Sequence, residues 1–144
     1  MSVSVKIKAV DGGDQKIASL LIWLQLETLP GDPVIESSEG YWWIAYDGSI
    51  PAAFVGMTDV ESWRNTGYVA RVGVLPDYRG NGLQKRLLAV CERKAKAIGL
   101  KQLISTTYRN PPSANSFVAR RYKTYEPEVR WGAEDTIYWI KTFS

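Results

Sequence analysis

Residues 68–99 read YVARVGVLPDYRGNGLQKRLLAVCERKAKAIG, and this stretch decides the fold. Its first eight residues are mostly apolar and rich in β-branched side chains, which is typical of a buried strand, and Pro76 ends that strand. A turn with two glycines follows at 77–82. Apolar residues then recur at helical spacing over 83–98, and Gly99 stands where a helix C-cap belongs. The stretch therefore predicts a strand, a glycine turn and a helix in succession.

The glycine turn predicts an anion site at the start of this helix. The first amides of a helix have no partner inside the helix, and glycines let a ligand approach them closely. Backbone N–H groups from about Gly80 to Gln84, the helix dipole and the charge of Arg79 would converge on a phosphate. Taken alone, the turn is equally typical of a plain connection to an amphipathic helix. The dinucleotide fingerprint lacks its third glycine here, and the P-loop lacks its Gly-Lys-Ser/Thr.

Residues 72–83, VGVLPDYRGNGL, resemble the acetyl-coenzyme A motif of the GNAT superfamily of N-acetyltransferases. That motif is a strand ending in V-x-P, then R/Q-x-x-G-x-G/A, then a helix. Gln84 departs from it, because the pattern prefers Gly or Ala there. The resemblance implies that the turn holds the pyrophosphate of acetyl-CoA, the co-substrate, and that the strand contacts its thioester and pantetheine. The implied coenzyme contacts are Val72, Val74, Arg79, Gly80, Asn81, Gly82, Leu83 and Gln84.

Residues 110–117, NPPSANSF, resemble the second GNAT signature, N-x-x-[AS]-x-x-x-[LY]. This resemblance implies that Asn110 and Ser113 contact the pantetheine end of the coenzyme. Phe117 falls where many members carry the tyrosine that protonates the leaving thiolate, and Arg121 replaces a usual glycine. Ser113 is predicted to be the N-cap of a helix that runs through Arg121.

The rest of the chain predicts the remaining elements of a GNAT-like α/β fold. We expect a mixed, mostly antiparallel central sheet of about seven strands flanked by about four helices, and the resemblance implies that the sheet is splayed at its central strands. Residues 16–26 form a helix after the N-cap Asp14 that is apolar on several sides, so we expect it to be buried on more than one. The predicted strands are 3–10, 41–46, 51–58, 68–75, 102–108, 122–125 and 136–141.

Two adjacent tryptophans in the third predicted element must face opposite sides of the sheet. Trp42 and Trp43 follow each other on a strand, where successive side chains alternate. We expect one of them in the core, and the other either packed beneath the surface or lining a pocket. The turn-rich segment 29–40, by resemblance, shapes the site of the acetyl acceptor.

Length and composition limit the number of domains and the types of catalytic site. The 144 residues predict a single domain, 1–144. The sequence has no histidine, which excludes histidine triads and the common zinc sites, so no metal is expected. Cys91, the only cysteine, lies on the apolar face of the predicted helix and is interpreted as an inert core thiol. No apolar run has membrane-spanning length and the first residues do not resemble a signal peptide, so a cytoplasmic location without membrane partners is the default expectation.

The resemblance implies an acetyl-CoA-dependent N-acetyltransferase that moves the acetyl group directly to a primary amine. An alkylamine with a pKa near 10.4 is protonated at pH 7, and its deprotonation costs about 4–5 kcal/mol, so a base or a water chain is expected. Many relatives place a glutamate where this chain has Tyr68. The candidate catalytic residues are therefore Tyr68 as a proton relay and Tyr108 as the acid at the thiolate.

Two other functions remain open. A GNAT-like domain that binds coenzyme A without catalysis is favoured by the missing glutamate and by Phe117. A nucleic-acid-binding module is indicated by five basic residues on the motif helix, although such a run is usually a solvated face, and nucleic acid is not the expected partner. The basic residues are Lys85, Arg86, Arg93, Lys94 and Lys96. The identity of the acceptor, and whether the chain acts alone or as a homodimer, stay open.

Overall fold

The structure, a computed structural model, describes residues 4–144. It contains seven strands and three α-helices in the order β1 (Val5–Val10), α1 (Gln15–Thr28), β2 (Tyr41–Asp47), β3 (Ile50–Asp59), β4 (Thr66–Val74), α2 (Leu83–Ala97), β5 (Gln102–Tyr108), α3 (Pro111–Ala119), β6 (Lys123–Thr124) and β7 (Thr136–Thr142). A 3-10 helix, Pro76–Tyr78, lies between β4 and α2 and is the one helical segment of residues 4–144 besides the three α-helices. Val3, in the first predicted strand, lies outside the described residues. Within residues 4–144 no helix has the length and apolar character needed to cross a membrane.

The seven strands form one mixed sheet with the order β1-β2-β3-β4-β5-β7-β6. Only β4 and β5 are parallel, as the strand, helix and strand of residues 66–108 require. The predicted strands 41–46 and 51–58 form a hairpin that turns at Gly48 and Ser49, with Gly48 in the left-handed region at φ 62°. The predicted α/β class and the predicted mixed, mostly antiparallel sheet of about seven strands are thus confirmed.

The sheet is split at its centre. Thr66–Tyr68 pair with Gln102–Ile104, and beyond these pairs the two parallel strands separate. The separation begins at a bulge, because Gly56 pairs with Arg71 while Met57 pairs with Val69, which leaves Ala70 as an extra residue that bends β4. Just past the last pair, the hydroxyl of Ser105 donates a 2.8 Å hydrogen bond to the carbonyl of Val69. The predicted splay of the central strands is therefore present, and it starts at residue 69.

Helices cover both faces of the sheet next to this split. α2 and α3 pack on one face, where Leu87, Cys91 and Phe117 are buried, and α1 packs on the other face with Leu21 and Leu24. Burial also raises the pKa of the Cys91 thiol, which agrees with its interpretation as an inert core residue.

Both adjacent tryptophans are buried, one on each face of the sheet. Trp42 stacks on Phe54 with ring centroids 6.5 Å apart under α1, and Trp43 packs on the side of α2. Of the two alternatives for the second tryptophan, packing beneath the surface is therefore the one observed, because helices cover this part of the sheet on both faces. Gly56 provides the room for Trp42, since an added Cβ would lie 2.4 Å from the indole ring.

The first helix is buried on one side only, which corrects the expectation that it is buried on more than one side. Asp14 caps α1 as predicted, accepting from the amide of Ile17 at 3.1 Å. Ile22, Trp23 and Leu26 are exposed, because α1 lies on β3 and β4 and no described element packs over its outer face.

Candidate functional site

A cavity of about 610 Å³ lies at the start of α2, between the glycine turn, the end of β4 and α3. All of the predicted coenzyme contacts except Asn81 line it. Asn81 is exposed, and its side-chain amide donates back to the carbonyls of Tyr78 and Arg79. Other residues that were not predicted to contact the coenzyme also line the cavity: Thr28, Leu29, Gly73, Tyr78, Lys85, Pro112 and Ser116.

The glycine turn presents the beginning of α2 to this cavity. Gly80 and Gly82 have φ values of 81° and 74°, a conformation that costs other residues about 1–2 kcal/mol. Gly82 is the N-cap and brings no side chain to the first helical amides, which keeps those amides available to an anion. The phenol of Tyr78 donates to Asp47 at 2.8 Å and ties the turn to the β2–β3 hairpin. This hydrogen bond raises the pKa of Tyr78.

The charge around the cavity is positive. Arg79 and Lys85 line it, and within residues 4–144 no Asp or Glu side chain does. Arg79 uses its Nε to donate to the carbonyl of Val74 at 3.1 Å, an arrangement that holds the guanidinium beside the turn and leaves its other donors for a ligand. Two positive side chains and a helix start together favour an anion with more than one charge.

The far wall of the cavity is a contact between α2 and α3. The side-chain amide of Gln84 donates to the hydroxyl of Ser113 at 2.7 Å, so the residue that departs from the family pattern joins the two helices. Ser113 is not the N-cap of α3, which is a correction. Asn110 caps the helix by accepting from the amide of Ser113 at 3.2 Å, and Pro111 occupies the first helical position, where its missing N–H does no harm.

The cavity leads into a narrow cleft of about 170 Å³ between the separated parts of β4 and β5. Val72, Asn110 and Ser113 line both spaces, so a ligand bound at the turn can extend between the two strands. Asp32 also lines the cleft and is the only carboxylate that does so within residues 4–144. Asp32 was not among the predicted site residues, because it lies far from the motifs along the chain.

Arg71 brings the segment that contains Asp32 to the cleft. Its guanidinium donates to the carbonyl of Ala70 at 2.7 Å and to the carbonyl of Pro33 at 3.0 Å. These bonds fasten the connection between α1 and β2 to the central strand at the point where the strand bulges. The turn-rich segment predicted to shape the acceptor site therefore lies at the cleft.

The two candidate catalytic tyrosines are placed at different ends of the split. Tyr68 belongs to the last ladder pair, and its hydroxyl is 3.4 Å from that of Thr106, which lines the cleft. Tyr108 lines the cleft four residues beyond Ile104, the partner of Tyr68, which is roughly 13 Å along β5 at about 3.3 Å per residue. The Arg109 guanidinium lies 5.2 Å from the Tyr108 ring. Phe117 also lines the cleft, and it stacks on Trp139 with centroids 5.8 Å apart.

Four of the five basic residues of α2 are exposed and lie on one side of the helix: Lys85, Arg86, Arg93 and Lys96. Lys85 lines the cavity, and Arg86 donates to the carbonyl of Val5 at 2.9 Å. Lys94 and Lys96 lie over the rings of Tyr41 and Phe143 at 4.9 and 5.3 Å, respectively. The exposure of these side chains agrees with the interpretation of the charge run as a solvated face.

Comparisons with known proteins identify the fold. The family model described as Acetyltransferase (GNAT) family matches residues 15–121, whereas the search of the curated proteins returns no match. The IAA acetyltransferase from Bacillus cereus superposes with a TM-score of 0.79 at 16% identity over 97% of this chain and 100% of that one. The ribosomal-protein-S18-alanine N-acetyltransferase from Escherichia coli gives 0.77 at 15% over 97% and 94%. A Bacillus subtilis acetyltransferase in complex with CoA gives 0.76 at 13% over 98% and 100%.

The matched region begins in α1 and ends just past α3, so it contains the glycine turn and the split between β4 and β5. It also contains all residues that line the cavity and the cleft. Since the family model covers most of the sequence, the chain belongs to the GNAT family of acetyltransferases.

Proposed function

We propose that this chain, as a single domain of residues 1–144, is an acetyl-CoA-dependent N-acetyltransferase that transfers the acetyl group directly to a primary amine. The observation that carries the proposal is the positive cavity at the start of α2 that continues into the split of the sheet. The Bacillus subtilis relative was solved with CoA and the Escherichia coli relative is an N-acetyltransferase, which supports both parts of the proposal.

The residues of the cavity match the parts of acetyl-CoA. The amides from Gly80 to Gln84, with Arg79 and Lys85, would bind the phosphates, and Asn110 and Ser113 would contact pantetheine. Pantetheine would then run along Val72 and Val74, where the strand backbone has separated from β5. This path brings the thioester into the cleft beside Ala70 and Val72.

Transfer in this cleft requires alignment more than new chemistry, because a thioester is already activated. The amine nitrogen forms a bond to the acetyl carbon, the carbon–sulfur bond breaks, and the thiolate takes a proton. Tyr108 lines the cleft and is the proposed donor of that proton, since Phe117 has none to give. Tyr68 with Thr106, or Asp32, is the proposed route for the proton that leaves the amine.

A non-catalytic coenzyme A-binding domain is the second candidate. A specific observation favours it, because Phe117 is buried in the cleft at the family's acid position. Thiol release from acetyl-CoA, measured across a broad panel of amines, separates the two candidates. Release that rises with amine concentration supports the enzyme, and release that is slow and independent of every amine supports the binding domain.

The assignment of the turn is tested by Gly82→Asp. The new carboxylate would stand at the start of α2 where the phosphates are expected, so we predict that the dissociation constant of CoA rises at least about tenfold in calorimetry. Gly82→Asn is the matched control, because it carries the same shape and the same left-handed backbone without the charge. If both variants bind CoA as the original chain does, the turn is not the phosphate site.

A further inference from the structure

A second pocket of about 720 Å³ lies on the face of the sheet that α1 leaves uncovered at β5 and β7. Its walls are the loop before β4 and the connection between β6 and β7, and its floor is the ladder pair Tyr68 and Ile104. The pocket is of the size that binds small molecules in other proteins. The lining residues outside the floor that carry the argument are Trp63, Tyr125, Glu126, Glu128, Val129 and Trp131.

Aromatic rings make up much of this pocket. Trp63 and Tyr125 meet edge to face at 6.1 Å, and Tyr125 meets Tyr138 at the same distance. Trp131 packs edge to face on Tyr138 at 4.6 Å, so the rings form one connected cluster. Trp63 and Trp131 nevertheless remain 38% and 53% exposed, which leaves large aromatic surface open toward the pocket. Such rings offer apolar area and negatively polarised faces to a ligand.

The charge of the pocket is opposite to that of the coenzyme cavity. Glu126 and Glu128 line it, and among the lining residues there is no Lys or Arg. Glu126 is paired with Arg130 at 2.9 Å, so of the two carboxylates that line the pocket Glu128 is the one for which the described residues provide no ion pair. An acidic site in a chain with a net charge of +3 runs against the overall balance. Negative charge and aromatic faces together select an organic cation.

The pocket and the cleft are lined by neighbouring residues of the same two strands. Tyr68 and Ile104 line the pocket, and the next residues along the two strands, Val69 and Ser105, line the cleft. The hydroxyl of Tyr68, a pocket residue, is 3.4 Å from that of Thr106, a cleft residue. An amine on a short chain that passes Tyr68 from the pocket would therefore approach the cleft at Thr106.

We propose that this pocket binds the acceptor of the reaction proposed above, and that the acceptor is a small primary amine with an aromatic ring, such as an arylalkylamine. The ring would pack among Trp63, Tyr125 and Trp131, and the ammonium would lie near the aromatic faces and Glu128 before it enters the cleft. The inference rests on the proposed function for its reaction, but the binding itself does not depend on turnover.

The first measurement is calorimetric binding to the full chain without coenzyme. Phenethylamine is the probe, 2-phenylethanol is its uncharged counterpart, and n-butylamine carries the charge without the ring. We expect phenethylamine to bind with a dissociation constant at least about fivefold lower than either counterpart. Equal binding of the three compounds, or no binding of phenethylamine, overturns the inference.

Two pairs of variants locate the binding. Trp131→Ala should weaken phenethylamine about fivefold to tenfold, whereas Trp23→Ala, a tryptophan of similar exposure on α1, should not. Glu128→Gln should weaken phenethylamine about threefold and leave 2-phenylethanol unchanged, whereas Glu134→Gln, outside the pocket lining, should affect neither. If the control variants weaken binding as much as the pocket variants do, the ligand binds elsewhere and the inference is wrong.

Turnover separates this inference from the proposed function. Acetylation of phenethylamine with a lower KM than n-butylamine supports both, and acetylation of n-butylamine at the same or lower KM leaves the function standing and overturns the pocket. Binding of phenethylamine without any thiol release supports the pocket and removes the function. A peptide with an amino-terminal phenylalanine that binds more tightly than phenethylamine would replace the small-molecule class and overturn the inference.

Discussion

Tyr68 lines the aromatic pocket next to the cleft, and it is the residue proposed above to relay the proton of an incoming ammonium. The family resemblance implies a glutamate at this position in many members, whereas a phenol is protonated at neutral pH and cannot accept a proton as a carboxylate does. Among the described side chains, Thr106 is the hydrogen-bond partner of the Tyr68 hydroxyl, at 3.4 Å. A chain of hydroxyl groups can pass a proton to water but does not lower the cost of removing it.

The rate should therefore follow the neutral fraction of the amine. At subsaturating acceptor we predict a rise of about tenfold per pH unit between about pH 6 and 8, levelling near the acceptor's own pKa, because the reacting form is the neutral amine and its proton leaves to solvent and not to a base of the enzyme. Tyr68→Phe should keep this slope and lower the rate modestly. The measurement is thiol release as a function of pH for both proteins.

A rate that is flat above about pH 6 would contradict this prediction and indicate a carboxylate base. Asp32 is then the first residue to test as the base, since it is the carboxylate that lines the cleft in the described part of the chain. Asp32→Asn would then restore the slope. Glu36 is a poorer candidate because it accepts two hydrogen bonds from Ser38, which lower its pKa.

Local patterns predicted most of the candidate coenzyme residues, and distant contacts account for the rest. Gly82 and Arg79 could be selected because a helix start and its turn are contiguous in sequence. Asp32 could not, since contacts between residues distant in sequence, such as the bond from Arg71 to Pro33, hold its segment at the cleft. Asn81 lies inside the motif but turns its amide back to the turn carbonyls, which its position in the sequence does not reveal.

Among the elements, the end of α3 shows what the replacement of a family glycine does. Arg121 has φ 68°, and the amides of Arg121 and Tyr122 donate to the carbonyls of Val118 and Phe117. This is a Schellman ending, completed by the edge-to-face contact of Phe117 and Tyr122 at 4.9 Å. The left-handed residue of such an ending is usually glycine, so Arg121 holds a strained conformation.

Arg121→Gly should stabilise the protein. We expect the free energy of unfolding in urea to rise by about 1 kcal/mol, because glycine adopts φ 68° without the clash of a Cβ. Arg121→Ala removes the same side chain and keeps the clash, so it should give no such gain. Equal stability of the two variants would show that the left-handed conformation is not strained here.

Element types followed from periodicity, but their environment did not. The predicted strand 102–108 agrees with Gln102–Tyr108, since β-branched residues fill it between clear turns. The pattern of α1 could not show that its outer face, with Ile22 and Trp23, has no element packed on it. Whether a second layer covers an apolar helix face is decided by the path of the remaining chain and not by the helix itself.

For the whole molecule, one buried carboxylate joins three elements around the core. Glu92 of α2 is 3% exposed and accepts from Arg120 at 2.7 Å and from Lys141 of β7 at 2.8 Å. Lys141 also donates to the carbonyl of Arg120 at 2.7 Å. The hydrogen bond to Glu92 raises the pKa of Arg120, which agrees with a strong ion pair.

Glu92→Ala should lower the free energy of unfolding by about 3 kcal/mol, because it leaves two partly buried cations without their carboxylate. Asp135→Ala is the control, since its pair with Arg109 is largely exposed and should contribute less than about 1 kcal/mol. Chemical denaturation of both variants provides the comparison. A loss no larger than that of the control would show that the rest of the core holds the three elements together.

The global architecture was accessible because the unit of β4, α2 and β5 is contiguous, and its hand and parallel pairing follow from general rules. The splay was expected only from the resemblance. Its physical origin, the extra residue at Ala70 between two otherwise regular pairings with β3, depends on the register of the strands, which no local pattern reports.

The split also means that the sheet contains an internal edge. Strand amides alternate in direction, so about half of the amides of β4 beyond Tyr68 point at β3 and the others point into the cleft. In hydrogen–deuterium exchange, the cleft-facing amides of residues 69–74 should exchange much faster than their neighbours, and CoA should slow them by acting as the missing strand. Uniform slow exchange along β4 without ligand would contradict this expectation. If CoA does slow these amides, the coenzyme is, in mechanical terms, the part that closes the sheet.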